Sequence, residues 1–292
     1  MKQYDAIVIG GGILGCTLAR NLRRWNIATL LLEKEDDVCR GITRANSAIV
    51  YAGYDNKPGS LKAELTVRGN ANMAALCEDL EVPFSRCGSL LVTYDESSAD
   101  RFEKKLRNGN KSGVPGLRML SGEEAEAMEP LLKKGVAAAL YAPSTGTVNP
   151  WRLGIAAYEN ALQNGADAAL NTEVLSIRQM EDGFALETNT QTYFGKMVFN
   201  CAGLYADKVQ ELAFEPSVRL HLDGAEYLVF DIREHFNSCL HHSSNLTEIY
   251  IFCHNRFHIW KCHFVEFVII HHLHIFAVHP TQFCHVKYGW RF

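Results

Sequence analysis

The chain has 292 residues, 47% of them hydrophobic and 21% charged, with a net charge of −4 when histidine is neutral. That composition supports a packed core of one large or two ordinary domains, and the acidic balance excludes a general nucleic-acid binder, which needs a basic face. No secretory leader is expected, there is no apolar run of 18 residues, and the nine cysteines form an odd set. A cytoplasmic protein with reduced thiols and no spanning segment is therefore expected, with peripheral membrane association left open.

In chain order, residues 4–9 predict a buried strand, Gly10 to Gly12 a tight turn, and Ile13 to Trp25 a helix with Leu14, Leu18, Leu22 and Trp25 on its apolar face. "IATLLLE" predicts a second buried strand ending at Glu33, since parallel strands covered on both faces read as continuous apolar runs. A long loop over 34–59 leads to a helix of 60–80 and a strand at 88–94. Helices follow at 97–109 and 121–129, the second opened by Ser121 as N-cap with Glu124 three residues on. A strand over 135–143 precedes a helix closed by Gly165. Strands near 172–179, 184–188, 193–199, 217–221 and 226–231 complete this part.

"VIGGGILGC" places Gly10, Gly12 and Gly15 between a strand and a helix. The first glycine permits a tight turn, the second lets a pyrophosphate approach the backbone, and the third lets helix and strand pack closely. The helix start then offers free N–H groups and positive dipole to the phosphate. Glu33 closes the next strand, where a carboxylate can accept both ribose hydroxyls. No arginine follows it, which argues against a 2′-phosphate. The turn by itself leaves FAD and NAD both open.

Three more segments, "TRANSAIVYAGY" (43–54), "GTVNPWRL" (146–153) and "NCAGLYAD" (200–207), complete a set. Together with the glycine turn, over residues 1 to about 231, the chain resembles the D-amino-acid-oxidase-like FAD-dependent oxidoreductases. The nearest members are glycerol-3-phosphate dehydrogenase-like and L-2-hydroxyglutarate-oxidase-like. The resemblance implies an α/β fold with a doubly wound, Rossmann-type FAD-binding domain (1–80 and 147–216), interrupted by a partial, mostly antiparallel substrate domain (81–146 and 217–231). It implies FAD as cofactor, with Gly10, Gly12 and Gly15 at the pyrophosphate, Glu33 at the adenosine ribose and Lys34 beside it. Arg44, Asn46 and Ser47 would lie along the pyrophosphate and flavin. Val174 would meet adenine through its backbone, and Ala202 and Gly203 would close over the cofactor. Arg44 and Asn46 have a second reading as braces of the long loop, Val174 as core, and Cys201 reads as a buried small residue. Where relatives often carry histidine, this chain has Tyr51. Histidine moves protons near neutrality, whereas tyrosine donates a hydrogen bond but does not titrate there, so Tyr51 is read as shaping the pocket and the catalytic base stays unassigned.

The implied reaction is oxidation of a small anionic secondary alcohol, glycerol 3-phosphate-like or a 2-hydroxy acid, by hydride transfer to flavin. The electron acceptor is a quinone, an electron-transfer subunit or oxygen. An amine-oxidising member of the same family and a catalytically dead FAD-binding remnant are the alternatives.

Composition changes near Asp231. All 12 histidines lie at or after His221, only Gly289 follows Gly224, and the last 61 residues carry eight phenylalanines and four cysteines. Residues 1–231 have net charge −6 and residues 232–292 net +2. Three readings compete for this tail. A metal site would draw on Cys253, His254, His258, Cys262, His263, His271, His272, His274, Cys284 and His285, but no paired spacing of a structural zinc module is present. A membrane segment is interrupted by His271, His272 and His274. A shifted reading frame explains the joint loss of Gly, Ala and Asp and is the reading adopted. On it, the chain is truncated and impaired, and "AEYLVFD" is left as an unfinished strand edge.

Overall fold

The computed structural model describes all residues except 1, 131, 216–218, 222–226, 231–237, 243–248, 254–265 and 270–292, and beyond residue 226 it describes backbone pairing alone. In chain order the elements are β1 (Lys2–Ile9), α1 (Ile13–Arg23), β2 (Thr29–Leu32), β3 (Ile49–Val50), α2 (Leu61–Asp79), β4 (Phe84–Ser85), β5 (Ser89–Thr93), α3 (Ala99–Lys111), β6 (Arg118–Leu120) and α4 (Gly122–Met128). Then come β7 (Ala138–Ala142), β8 (Gly146–Val148), α5 (Pro150–Gln163), β9 (Asp167–Ala169), β10 (Val174–Met180), β11 (Gly183–Thr188), β12 (Thr192–Asn200) and α6 (Ala206–Glu211). The last strands are β13 (Tyr227–Phe230), β14 (Ser238–His242), β15 (Ile249–Cys253) and β16 (Glu266–Ile269).

The chain divides into two compact units, one of residues 1–46, 77–83 and 149–223, the other of 47–76, 84–148 and 224–292. The first unit is built on a six-stranded sheet of order β10-β11-β12-β1-β2-β9. Its central strands β12, β1, β2 and β9 are parallel, and β10 and β11 extend the sheet antiparallel. Ile7, Ile9, Leu30, Leu32, Ile177, Leu186 and Tyr193 form the core on one face. These are the apolar runs expected of strands covered on both sides, and the expected α/β class is what the chain adopts.

Helix α1 departs from the expected packing. Leu14 is 70% and Trp25 80% exposed, while Gly15, Cys16 and Ala19 are buried. The buried side is made of small residues, and α5 meets it with a matching set of Leu153, Gly154, Ala157 and Ala161. Two helices with small facing residues approach closely, and Leu14 and Trp25 are turned outward while Leu18 and Leu22 are half-buried.

In the second unit, a five-stranded antiparallel sheet runs β14-β15-β5-β7-β6, and a small sheet runs β3-β8-β4. Phe102 of α3 is fully buried against Tyr54, Leu91 and Leu140. Ser121 caps α4 with the expected capping box to Glu124, and Gly165, at φ +86°, ends the turn after α5.

One expectation is corrected. Residues 219–221 belong to no strand. Leu220 N–H is held by Asp207 and Arg219 by Glu211, so side-chain pairing with α6 takes the place of a ladder. The strand at 227–230, β13, pairs antiparallel with β16 in a two-stranded sheet, so among the described residues its other edge is unpaired, and β15 pairs antiparallel with β5. Short apolar runs in the tail supply β-forming residues whose backbone groups join these ladders. The histidine-rich segments 254–265 and 270–292, with most of the candidate metal ligands, lie outside the described residues.

Candidate cofactor and active site

Three strand ends converge on the glycine turn of the first unit. Gly10 N–H donates to the Leu32 carbonyl and Cys201 N–H to the Ile9 carbonyl, each at 2.8 Å, tying β1 to both of its parallel neighbours. Gly10 sits at φ +107°, where L side chains are strained, and a Cβ there would lie 2.5 Å from the Cys201 carbonyl oxygen. A Cβ on Gly15 would overlap the Gly10 carbonyl oxygen. Gly12 is different. The one atom within 4 Å of a Cβ there is Thr43 Oγ1, at 3.3 Å. Gly10 and Gly15 are thus required by the protein's own packing, and Gly12 leaves a space.

That space is lined with donors. Thr43 Oγ1 accepts the Ile13 N–H at 2.9 Å, while the Gly12 and Leu14 N–H groups have no protein acceptor among the described residues. Open donors at the start of an 11-residue helix, where the dipole is positive, make a cradle for a phosphate.

Glu33 lies beside it. Its Oε2 accepts the Gly11 N–H at 2.6 Å and its Oε1 the Glu35 N–H at 2.9 Å. Each carboxylate oxygen keeps a second lone pair for a hydroxyl, so Glu33 both fixes the turn and remains able to bind a ribose. Lys34 Nζ stands 4.1 Å over the Tyr205 ring and 3.5 Å from Glu35.

Arg44 is exposed in a 3-10 turn, Ile42–Arg44. Asn46 donates through Nδ2 to the carbonyls of Thr43, at 2.9 Å, and Ile42, at 3.2 Å, bracing that turn from within. Ser47 is partly buried in the connection that follows. Val174 starts β10, beside a register shift and against the sheet's core. Ala202 and Gly203 follow β12. Ala202 N–H is held by Asn200 Oδ1 at 3.2 Å, and Gly203, at φ +55°, has open space where a Cβ would be. Cys201 is partly buried rather than buried, and that burial pushes its thiol up.

In the second unit Tyr51 is 45% exposed and lines a cavity of about 260 Å³. Lys62 and Thr66, one turn apart on α2, line it as well, with Ser89 and Thr145, whose buried hydroxyls are 2.9 Å apart. Asn70 fixes the backbone of this segment, donating to the carbonyls of Val50, Tyr51 and Ser144. Sequence reasoning missed Thr43, Asn70 and Arg86. Thr43 lay inside a quoted motif, but its partner Ile13 is 30 residues away, and Asn70 and Arg86 carry no local signal at all. Among the described residues no group of three or more metal-binding side chains is present and no helix is long and apolar enough to cross a membrane.

A parallel sheet with an open phosphate turn and an acidic residue closing the next strand defines a dinucleotide-binding α/β protein. The whole-chain comparison is more specific. Residues 5–257 match the family described as FAD dependent oxidoreductase (DAO), and the chain belongs to that family. It is 41% identical over 229 residues to a glycerol 3-phosphate dehydrogenase of Caloramator mitchellensis, covering 78% of this chain and 48% of that protein. It is 31% identical over 213 residues to an L-2-hydroxyglutarate dehydrogenase of Indibacter alkaliphilus, covering 72% and 53%. Among solved structures it is similar to the dithionite-reduced L-alpha-glycerophosphate oxidase of Mycoplasma pneumoniae with FAD bound. There the TM-score is 0.69 at 25% identity, over 78% of this chain and 60% of that one. The chain spans about half the length of the curated relatives it matches. The expected family and its cofactor, FAD, are those found. The family match also runs past residue 231, where the composition changes.

Proposed function

We propose that the first unit binds FAD and that the protein oxidises a small anionic secondary alcohol, glycerol 3-phosphate first and L-2-hydroxyglutarate second. The observation that carries the cofactor site is the pairing of open Gly12 and Leu14 N–H donors with Glu33 at the end of the neighbouring strand. The donors would hold the pyrophosphate and the carboxylate the adenosine ribose. Lys34, Arg44, Asn46, Ser47, Val174, Ala202 and Gly203 are assigned to the cofactor's surroundings on family resemblance. When bound, FAD accepts hydride from a C–H bond next to a hydroxyl. This chain's side chains orient the substrate and hold its anion. Lys62 on the cavity of the second unit is the described cation we assign to that anion, with Tyr51 shaping the wall. The substrate class is supported by the 41% identical relative.

Anaerobic mixing tests this. With a normal C-terminal half restored, the flavin is expected to bleach with glycerol 3-phosphate or L-2-hydroxyglutarate. Bleaching by amino acids alone would move the protein to the amine-oxidising branch, and a colourless preparation that takes up no added FAD would remove the cofactor site.

We also hold residues 232–292 to be out of frame and turnover therefore to be low. Their composition supports this, and the family match through residue 257 runs against it. Resequencing beyond codon 231 decides between them.

A further inference from the structure

Ser89 and Thr145 place one more hydroxyl proton on the cavity of the second unit than the described residues accept. Both residues line that cavity, each is 2% exposed, and their oxygens are 2.9 Å apart. Two hydroxyls carry two protons, and the bond between them uses one. The other has no acceptor among the described residues. Buried donors are normally paired, so one left over on a cavity wall is placed for an acceptor that arrives from outside. The pair is also held still. Ser89 is laddered to Ala142 of β7, the Thr145 N–H donates to the Ala142 carbonyl at 3.2 Å, and the Thr145 carbonyl accepts the Gly88 N–H at 2.9 Å. On the same cavity Asn56 donates through Nδ2 to Thr66 Oγ1 at 3.1 Å, while its Oδ1 receives no hydrogen bond among the described residues. Lys62 is the one cation among the described residues that line the cavity, and no described carboxylate pairs with it. The one carboxylate of the lining, Asp55, is paired with Lys105.

We propose that the Ser89–Thr145 pair binds a hydroxyl of the substrate, and that the cavity thereby selects a polyol monophosphate over a dicarboxylic 2-hydroxy acid. This rests on the reading of the cavity as the substrate site and goes further by naming what discriminates within it. A substrate hydroxyl both donates and accepts. Here it meets an open O–H of the pair and an open acceptor in Asn56 Oδ1, while Lys62 takes the single phosphate. A dicarboxylate matches this wall poorly. Each of its carboxylates can only accept, Lys62 satisfies one, and the second faces Asn56 Oδ1 and Asp55 with no second cation in the described lining. A site built to hydrogen-bond a hydroxyl also rejects ligands that lack one, because its own buried polar groups are then left unpaired. Whichever oxygen of the pair accepts keeps its own proton for the ligand. Removing one hydroxyl therefore leaves the other with a free proton, and only the loss of both ends recognition.

Titration calorimetry of the purified chain with glycerol 3-phosphate, inorganic phosphate and L-2-hydroxyglutarate tests this and needs neither flavin nor turnover. The parent should bind glycerol 3-phosphate several-fold more tightly than either of the other two. The double variant, Ser89→Ala with Thr145→Val, removes both partners at nearly constant shape, which leaves folding close to neutral. It should weaken glycerol 3-phosphate binding about tenfold and leave phosphate binding little changed. Each single variant should lose less than the double. Glycerol 3-phosphate bound no more tightly than phosphate by the parent, L-2-hydroxyglutarate bound more tightly than either, or a double variant with the parent's affinity would overturn the role of the pair while keeping Lys62 as the anion's partner. A parent that binds none of the three would remove the cavity as the substrate site, and this inference with it.

Discussion

Arg86 Nη1 donates to Asn70 Oδ1 at 2.9 Å, and this one bond decides which way the Asn70 amide faces. With its oxygen taken by the guanidinium, the amide nitrogen must point at carbonyls. It reaches Ser144 at 2.9 Å, Tyr51 at 3.1 Å and Val50 at 3.3 Å. Arg86 also donates to the Ser144 and Asn70 carbonyls. Two side chains thereby fix the backbone on which Tyr51 stands.

Asn70 is 5% exposed, so its loss strands buried carbonyls. Asn70→Ala should cost about 1–3 kcal/mol, the typical penalty for leaving such groups unsatisfied. Asn70→Asp, which keeps an acceptor for Arg86 but has no donor for the carbonyls, should not restore the loss. Urea unfolding of the three proteins measures this. Wild-type stability in Asn70→Asp would show that the amide donors do not hold the segment.

Gly12 and Gly15 should respond oppositely to a methyl group. Gly15→Ala forces a Cβ onto the Gly10 carbonyl, so α1 must move off β1 and the melting temperature should drop sharply. Gly12→Ala meets only Thr43 Oγ1 and should fold, but the methyl occupies the phosphate space. Its FAD affinity should fall about tenfold or more, equivalent to 1.4 kcal/mol or above. Equal flavin content in Gly12→Ala and the parent would place the phosphate elsewhere.

Glu33→Ala removes an acceptor from the Gly11 and Glu35 N–H groups as well as a partner for the ribose. Charge-assisted hydrogen bonds contribute about 1.5–3 kcal/mol each. The variant should lose flavin affinity and also some stability without flavin. Calorimetry of the flavin-free proteins separates the two effects, and an unchanged melting temperature there would leave ribose binding as the whole role of Glu33.

Acid should destabilise the protein. Asp5 is held below its ordinary carboxyl range by Lys196, Asp95 by the hydroxyls of Ser97 and Ser98, Glu126 by Lys134, and Asp207 by the Leu220 N–H. A lowered folded-state pKa contributes stability that is complete above the ordinary value, 3.8 for Asp and 4.5 for Glu, and disappears as pH falls through the lower one. The melting temperature should be level down to about pH 5 and then decline. A level midpoint down to about pH 3 would mean that these contacts do not act in solution.

The sequence by itself determined the elements whose signal is local. Apolar runs set β1 and β2, the glycine spacing set the phosphate turn, Ser121 with Glu124 set the start of α4, and Gly165 set the end after α5. Each depends on residues within a few positions of one another, so the chain states them without being folded. The two-residue strands β3 and β4 have no periodicity to read and exist because β8 supplies partners from far along the chain. The most buried face of α1 is made of the small residues that fit α5, with Leu14 outward and Leu18 and Leu22 half-buried. Residues 47–76, read in sequence with the first domain, count with the second unit. The cap that Thr43 gives Ile13 and the Arg86–Asn70 bond came only from tertiary structure. Each joins groups 16 to 30 residues apart whose proximity is set by packing and hydrogen bonding in three dimensions, about which a linear pattern of residue types is silent.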